Sequence, residues 1–571
     1  MNDGESYMLM TADEINRLSE EADCHILNRD YESLANLIER LTLQDFEFEH
    51  SFYEAHYLYT IANCYSVLYD TRRVEWFSDN LMKAIIYYRK CLHCIPKPDW
   101  LEDPVNVQSY NDLRAMVLTN LANSLSSQGR VLCCIPFYDE AISINHKIEA
   151  VSAKARNQLF LGDSLYDNGH RQYHYFVAYN LIEDAIENIN KLYPEHRVDL
   201  EAGGYLFKFK EWFKKNFELS SFDYFSEKYS NAKSRKEKQY LQWCAEKRLF
   251  INDLNDVSKS EISHQDVLSL PSFVQSINSS LTMNEELVYH GNFDEIKNDY
   301  CYARYLLFSA KAIPDHVSHF FNSTYQHVDD MSHSISNLKA GHYKSAFRTL
   351  YSLFDKIAYL ASRFFNLNDI KYDRDINIDN LFRDIDMKKK KRKWEPNEKL
   401  KDSDNPFIHA LFYILKDIRN VNGASSVSQW IDPDAKAFSE IRNAMEHKSF
   451  KVVDDFGYEL MGSHNKYHEA EVDELIKEME EIRGQLYSLQ DPREISSLRA
   501  KLSELKSKLY EKKKLSSHSL LIPMGQFESR IMTLIKLVRN SIIYLSLSIH
   551  FEEKKRPDDK IYLPVAVPLK N

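Results

Sequence analysis

The stretch FSEIRNAMEHK, residues 438–448, decides how the C-terminal half of this chain is read. It reads as one helix, running from Asp434 to about Phe450, and it carries Arg442, Asn443 and His447. Asn443 and His447 are four apart and so share a helix face. Arg442 starts about 140° from His447 at 100° per residue, but its side chain is long enough to curl towards the same end. The last turn is basic, with His447 and Lys448, which suits a phosphate ligand. The bare spacing means little: with 21 His in the chain, roughly one Arg followed by His five residues later is expected by chance. Arg156-Asn157, Arg419-Asn420 and Arg539-Asn540 repeat the dipeptide without a His at that spacing. The plain alternative is that Arg442, Glu446 and His447 form surface salt bridges on an amphipathic helix.

Three further helices surround this one. Ala346, Leu350, Leu353, Ile357, Leu360 and Ala361 mark a stripe on a helix from His342 to Phe365. Phe407, Leu411, Ile414 and Leu415 mark a second, from Pro406 to Ile418, and Phe527, Ile531, Leu534, Leu537 and Val538 a last one, from Gln526 to about Phe551. Two insertions interrupt the unit. The first, 384–402, holds Lys388, Lys389, Lys390, Lys391, Arg392 and Lys393, followed by Trp394. It reads as a phosphate-binding arm with an aromatic ring for base stacking, or else as a solvated mobile loop. The second, 470–514, repeats apolar residues at 3.5 spacing (Val472, Leu475, Met479, Ile482, Leu486, Leu489), breaks at Asp491-Pro492, and resumes with Ile495, Leu498, Leu502, Leu505 and Leu509. This is an antiparallel helical hairpin, either a dimerisation or partner-binding arm or a plain intramolecular coiled coil.

Residues 50–190 are self-similar. Leu58, Ile61, Ala62 and Tyr65 match Leu118, Leu121, Ala122 and Leu125 in spacing, and Gln158, Leu161, Gly162 and Leu165 form a third set. Ala62, Ala122 and Gly162 put a small residue where two helices must approach closely. Second helices follow, with Ala84, Tyr88, Cys91 and Pro96, then Cys134, Tyr138 and Ala141, Gly129 ending the helix before the latter. The pattern resembles the tetratricopeptide (TPR) repeat, and an earlier pair around Leu18–Ala22 and Leu34–Ile38 reads as a worn capping repeat. A generic helical bundle is the alternative. Residues 201–332 are an aromatic-rich connector. Its stretch YLQWCAEKRLFIN, 240–252, is expected to be helical to about Asn252–Asn255 and to serve as core packing or as a docking face.

The bulk numbers agree with a helical, multidomain chain. It has 571 residues, 44% hydrophobic and 28% charged, with only 13 Gly and 15 Pro. The net charge of −12 excludes a globally basic nucleic-acid coat, so RNA contact must come from a local patch. Eight thinly spread cysteines do not make a disulfide framework, and the lone C-x-x-C at Cys91 and Cys94 reads as core packing. No metal ligand set and no cofactor motif is visible. The acidic N-terminus, with no basic residue before Arg17, is unlike a leader peptide. Lys536, Arg539, Asn540 and His550 argue against a membrane span at 531–551, so a cytoplasmic location is expected.

The helix around Ala346–Leu360, the Arg-Asn-x-x-x-His helix and the long last helix together resemble the HEPN superfamily of helical ribonucleases and nucleotide-binding domains. TPR-like helices followed by such a unit resemble a bacterial branch linked to phage defence. The resemblance implies an all-α fold: a TPR-like helical solenoid followed by a HEPN four-helix bundle with an inserted antiparallel helical hairpin. The segments would be 1–200 (repeats), 201–332 (connector), 333–555 (HEPN-like) and 556–571 (tail). It implies a metal-independent RNA endonuclease, a toxin or anti-phage effector, acting as a homodimer through the HEPN unit. His447 would be general acid or base, Arg442 would stabilise phosphoryl charge, and Asn443 would orient either; Lys448 and the 388–394 arm would bind RNA. One His cannot easily be both acid and base, so a second copy is expected to complete the site. The competing expectation is a non-enzymatic scaffold, holding a protein or peptide on the repeats, or a nucleotide-binding regulator.

Overall fold

The computed structural model describes residues 8–555 apart from 44–45, 73–74, 96–103, 227–231, 274, 277–278, 316–318, 327, 329–332, 368–375, 377–382, 387–390, 420–432, 457, 459–470, 473, 480–481, 483–491 and 517–518. The fold is all-α. Its longer helices, in chain order, are α1 (Ala12–Leu27), α2 (Tyr31–Leu43), α3 (Ser51–Arg72), α4 (Asp79–Cys94), α5 (Pro104–Ser127), α6 (Ile135–Asn145), α7 (Ile148–Ser164), α8 (Asn168–Glu187), α9 (Tyr205–Asn216), α10 (Arg235–Glu246), α11 (Met283–Lys311), α12 (Leu338–Phe364), α13 (Pro406–Arg419), α14 (Pro433–His447), α15 (Pro492–Ser516) and α16 (Met524–Lys554). Strands occur as short pairs, of which Arg383–Asp386 with Lys391–Pro396 and Phe450–Val453 with Leu520–Pro523 matter below.

The chain folds into two compact units that interleave in sequence. The larger comprises residues 1–301, 352–436 and 535–571; the smaller comprises 302–351 and 437–534. The boundary passes through α11, α12, α14 and α16.

In the larger unit, α3 with α4, α5 with α6, and α7 with α8 pack as successive pairs. The small residues of the repeated pattern sit in the seams. Ala62 and Ala122 are wholly buried, and a Cβ on Gly162 would lie 2.9 Å from the Tyr175 ring. Gly129, just after α5, has φ +75°, a conformation that only glycine adopts freely, and a Cβ there would lie 1.9 Å from the Pro406 carbonyl oxygen. Backbone cannot yield as a side-chain tip can. Gly129→Ala is therefore expected to cost about 2–4 kcal/mol, combining left-handed strain with overpacking, measured by thermal unfolding.

The C-terminal helices complete the core of this unit. The Tyr544 hydroxyl accepts from the Leu132 N–H at 2.9 Å. Asp417 of α13 takes Arg130 at 2.6 Å and Arg89 at 3.6 Å. His409 stacks flat on the Trp76 indole, 4.0 Å between ring centres, and donates from Nε2 to the Ser403 carbonyl at 2.7 Å. Burial pushes His409 down to about 4, and burial followed by Lys554 and Arg171 does the same to His550. Both folded values lie below the unfolded value of about 6.5, so the stability of the neutral form is complete above pH ~6.5 and lost as pH falls towards 4. The melting temperature should drop across that window, and His409→Gln should flatten part of the drop.

The helix α16 is long and apolar enough to cross a membrane by length and composition, but 83% of its apolar window is buried inside the fold. It is a core helix. Its Arg539 is wholly buried, giving two hydrogen-bonded contacts to Asp256 (3.1 and 2.7 Å) and donating to the Phe250 and Asn252 carbonyls at 2.6 Å each. The connector stretch 240–252 thus departs from the expected long helix. It ends at Glu246, and Leu249, Phe250 and Ile251 are all buried. Arg248 takes a left-handed conformation (φ +57°) and the Leu249 N–H donates back to the Cys244 carbonyl at 2.9 Å, which closes the helix there.

The smaller unit is held by an aromatic cluster. Phe347 of α12 lies 6.4 Å from Phe438 of α14 and 6.0 Å from Phe527 of α16, and Phe450 lies 5.1 Å from Phe527. The expected helical run to Phe450 stops at His447. Phe450–Val453 pairs in parallel with Leu520–Pro523 instead, because Phe450, Val452 and Val453 bury more as a strand against that partner than as a further solvated turn. The described parts of the hairpin's two arms pack together, Leu498, Leu502, Leu505 and Leu509 of α15 against Leu475, Met479 and Ile482, with Lys501 paired to Glu478 at 3.0 Å; residues 483–491, where it would turn, lie outside the described residues.

Candidate functional site

The position of the motif follows from which face of α14 is apolar. Phe438, Ile441 and Ala444 are buried, so the residues on the opposite side of the helix, Asn443, Glu446 and His447, face solvent. Arg442 is half-buried and turns its Nη1 onto Asn443 Oδ1 at 3.3 Å. The guanidinium therefore reaches the face that Asn443 shares with His447. His447 is the last residue of the helix, exposed, and its imidazole makes no hydrogen bond or ion pair among the described residues. Lys448 follows it, also exposed.

Two more cations stand at this helix end. Arg348 of α12 donates from Nε to Glu446 Oε1 and from Nη2 to the Met445 carbonyl, both at 2.9 Å. Glu446 thus has Arg348 as its ion-pair partner, rather than bridging Arg442 and His447 along the helix. Lys344, one turn earlier on α12, donates to the Phe450 carbonyl at 3.1 Å and lies 5.3 Å from the Phe450 ring centre. Burial, then the charge of Arg348, holds Lys344 below the ordinary lysine range. Sequence reasoning missed both residues. They sit beside the buried Tyr343 and Phe347, and nothing in the one-dimensional pattern says which helix end such flanking cations will meet.

The basic arm divides. Lys388, Lys389 and Lys390 lie outside the described residues. Lys391, Arg392, Lys393 and Trp394 belong to a strand, with Lys391 opposite Asp386 and Arg392 opposite Ile385. Cys91 is buried and donates from Sγ to the Ala55 carbonyl at 3.1 Å; Cys94 is held up to about 12 by burial, then Glu54. Both are free thiols packed in α4. Among the described residues no three His, Cys, Asp or Glu side chains are grouped to hold a metal ion.

A concave feature lies in the larger unit. A cavity of about 780 Å³ is lined by Asn120 and Asn123 of α5, Ser152, Arg156 and Asn157 of α7, and Asp199. Arg156 pairs with Asp199 at 2.7 Å, and the buried Ser152 hydroxyl has no hydrogen-bond partner.

The helix that carries Arg442, Asn443 and His447 falls within a segment that matches a known family. The sequence comparison is specific about it: residues 280–482 match the family described as LA2681-like HEPN. The chain therefore carries a domain of the HEPN superfamily. The matched segment covers less than half of the chain; it takes in α11 to α14 and ends before α15. No curated protein and no solved structure gives a match.

Proposed function

We infer that this protein is an RNA endonuclease whose site is built on Arg442, Asn443 and His447. The observation that carries this reading is their place at the exposed, cation-flanked end of α14, inside the HEPN-matching segment. RNA brings its own nucleophile. The 2′-hydroxyl attacks the adjacent phosphorus and its proton goes to a base; the bond to the 5′-oxygen breaks and that oxygen is protonated by an acid, leaving a 2′,3′-cyclic phosphate. The His447 imidazole is the proton carrier. Arg442 neutralises charge on the phosphoryl oxygens, and Asn443, whose Oδ1 receives Arg442, keeps its amide N–H₂ for a phosphate oxygen. Base and acid are two jobs, so a homodimer that contributes a second His447 completes the reaction. No metal is required by this chemistry. The strand at 391–394 and Lys448 supply further phosphate contacts, and the helix pairs regulate, in keeping with a toxin or defence effector in the cytoplasm. The test is cleavage of RNA by the purified full chain in the presence of a chelator, against His447→Ala.

The cavity between α5 and α7 favours a second reading, in which the helix pairs hold a protein or peptide partner and the HEPN domain binds a nucleotide without cutting. Intact RNA with the wild-type chain, together with a stable complex lost on Asn157→Ala, would select it.

A further inference from the structure

The larger unit carries a basic cluster of its own, where α6, α7, α16 and the end of α10 meet. Arg539 builds it. By donating to the Phe250 and Asn252 carbonyls it clamps the segment after α10 onto α16. Lys536, three residues before Arg539 on the same face, is thereby set beside Lys247 and Arg248. Arg248 also reaches across to Asp139 of α6, whose other oxygen takes Lys154 of α7 at 2.6 Å.

The acidic groups here are already occupied. Asp139 is shared by two cations, Asp256 is held by Arg539, and Glu246 accepts from Gln242. Lys247 and Lys536 have no ion-pair partner among the described residues, and the buried Nη1 of Arg248 has no acceptor. Desolvation by the protein packed around its side chain, followed by the charges of Arg248, Lys247 and Arg539, holds Lys536 below the ordinary lysine range. Lys247 is the C-cap of α10 and Arg248 the residue after it, where cations suit the helix end. That does not account for Lys536 in the middle of α16. Two exposed lysines without an ion-pair partner among the described residues, beside an arginine with a spare Nη1, leave this surface locally cationic in a chain of net charge −12.

We propose that Lys247, Arg248 and Lys536 form a phosphate-binding site for the backbone of single-stranded RNA. The proposal rests on the endonuclease reading above for its choice of ligand. Lys247 and Lys536 are exposed on two separate elements, the end of α10 and α16, with the partly exposed Arg248 next to Lys247. Such a spread matches successive phosphates of an extended polyanion, whose affinity comes from counterion release, better than it matches one small anion.

The test uses the full chain carrying His447→Ala, so that RNA stays intact, and a labelled short RNA titrated over a salt series. Two variants are added separately: Lys247→Gln with Lys536→Gln, and Arg248→Gly. Arg248 has φ +57°, which glycine adopts freely, and Asp139 keeps Lys154, so Arg248→Gly leaves the fold intact. The double change should weaken binding about tenfold and lower the salt slope by about 1–2, with no fall in melting temperature. Arg248→Gly should weaken binding in the same direction, and inorganic phosphate at millimolar concentration should not compete. Wild-type affinity and slope in both variants overturn the proposal, as does equal displacement by inorganic phosphate, which assigns the cluster to a small anion. Failure is separable from that of the endonuclease reading. A parent chain that never cuts RNA, but binds it through these residues, rejects only the enzyme; a chain that cuts while the variants bind normally rejects only this site.

Discussion

Arg539→Ala is expected to destabilise the larger unit by about 3–5 kcal/mol, read as a fall in the urea midpoint at constant slope. The reason is what the substitution leaves behind. Asp256 is 4% exposed and would keep a charge with no guanidinium, and the Phe250 and Asn252 carbonyls would lose their donors in the same core. An unpaired buried charge costs far more than the pair is worth in net terms. Arg539→Met with Asp256→Leu should therefore recover the part of the loss due to the stranded Asp256 charge, while the Phe250 and Asn252 carbonyls still lack their donor. A loss below about 1 kcal/mol in the single variant would show that the clamp is not what holds the connector to α16.

His447→Ala is expected to lower metal-free RNA cleavage by about 10²–10⁴-fold, the usual range for a missing proton-transfer group. Stability should stay within about 0.5 kcal/mol, because His447 is exposed and makes no contact that folding depends on. Arg442→Ala should give a comparable loss of cleavage, while Arg442→Lys should recover little, since an ammonium cannot reproduce the planar guanidinium fork. Cleavage at the wild-type rate by both His447→Ala and Arg442→Ala would reject the assignment. The two large predictions also separate two uses of one dipeptide. Arg442-Asn443 sits at the surface of the smaller unit, whereas Arg539-Asn540 is core, with Arg539 wholly buried and Asn540 donating to the Cys133 sulfur at 3.3 Å.

Much of the helical content was legible because long helices declare themselves by period. The stripes at 346–361 and 407–415, the 3.5 spacing either side of Pro492, and the small residues at 62, 122 and 162 each state a local packing demand that any fold must meet. Less was legible where a residue's neighbours are distant in sequence. The end of α10 was misplaced because Leu249, Phe250 and Ile251 continue an apolar run; the left-handed turn at Arg248 and the distant Arg539 that takes the Phe250 and Asn252 carbonyls are not visible in that run. The end of α14 was misplaced because the partner strand of Phe450–Val453 lies at 520–523, beyond the inserted hairpin.

The candidate site divides the same way. By itself the sequence determined that Arg442, Asn443 and His447 lie within little more than one turn of a single helix, since that is fixed by spacing and backbone geometry. Tertiary structure decided the rest: that Phe438, Ile441 and Ala444 turn inward and so hold Asn443 and His447 outward, that Arg348 takes Glu446, and that Lys344 joins the same helix end. A helix can present any of its faces to solvent until something apolar covers the opposite one, and here the covering residues, Phe347 and Phe527, come from segments about ninety residues away on either side.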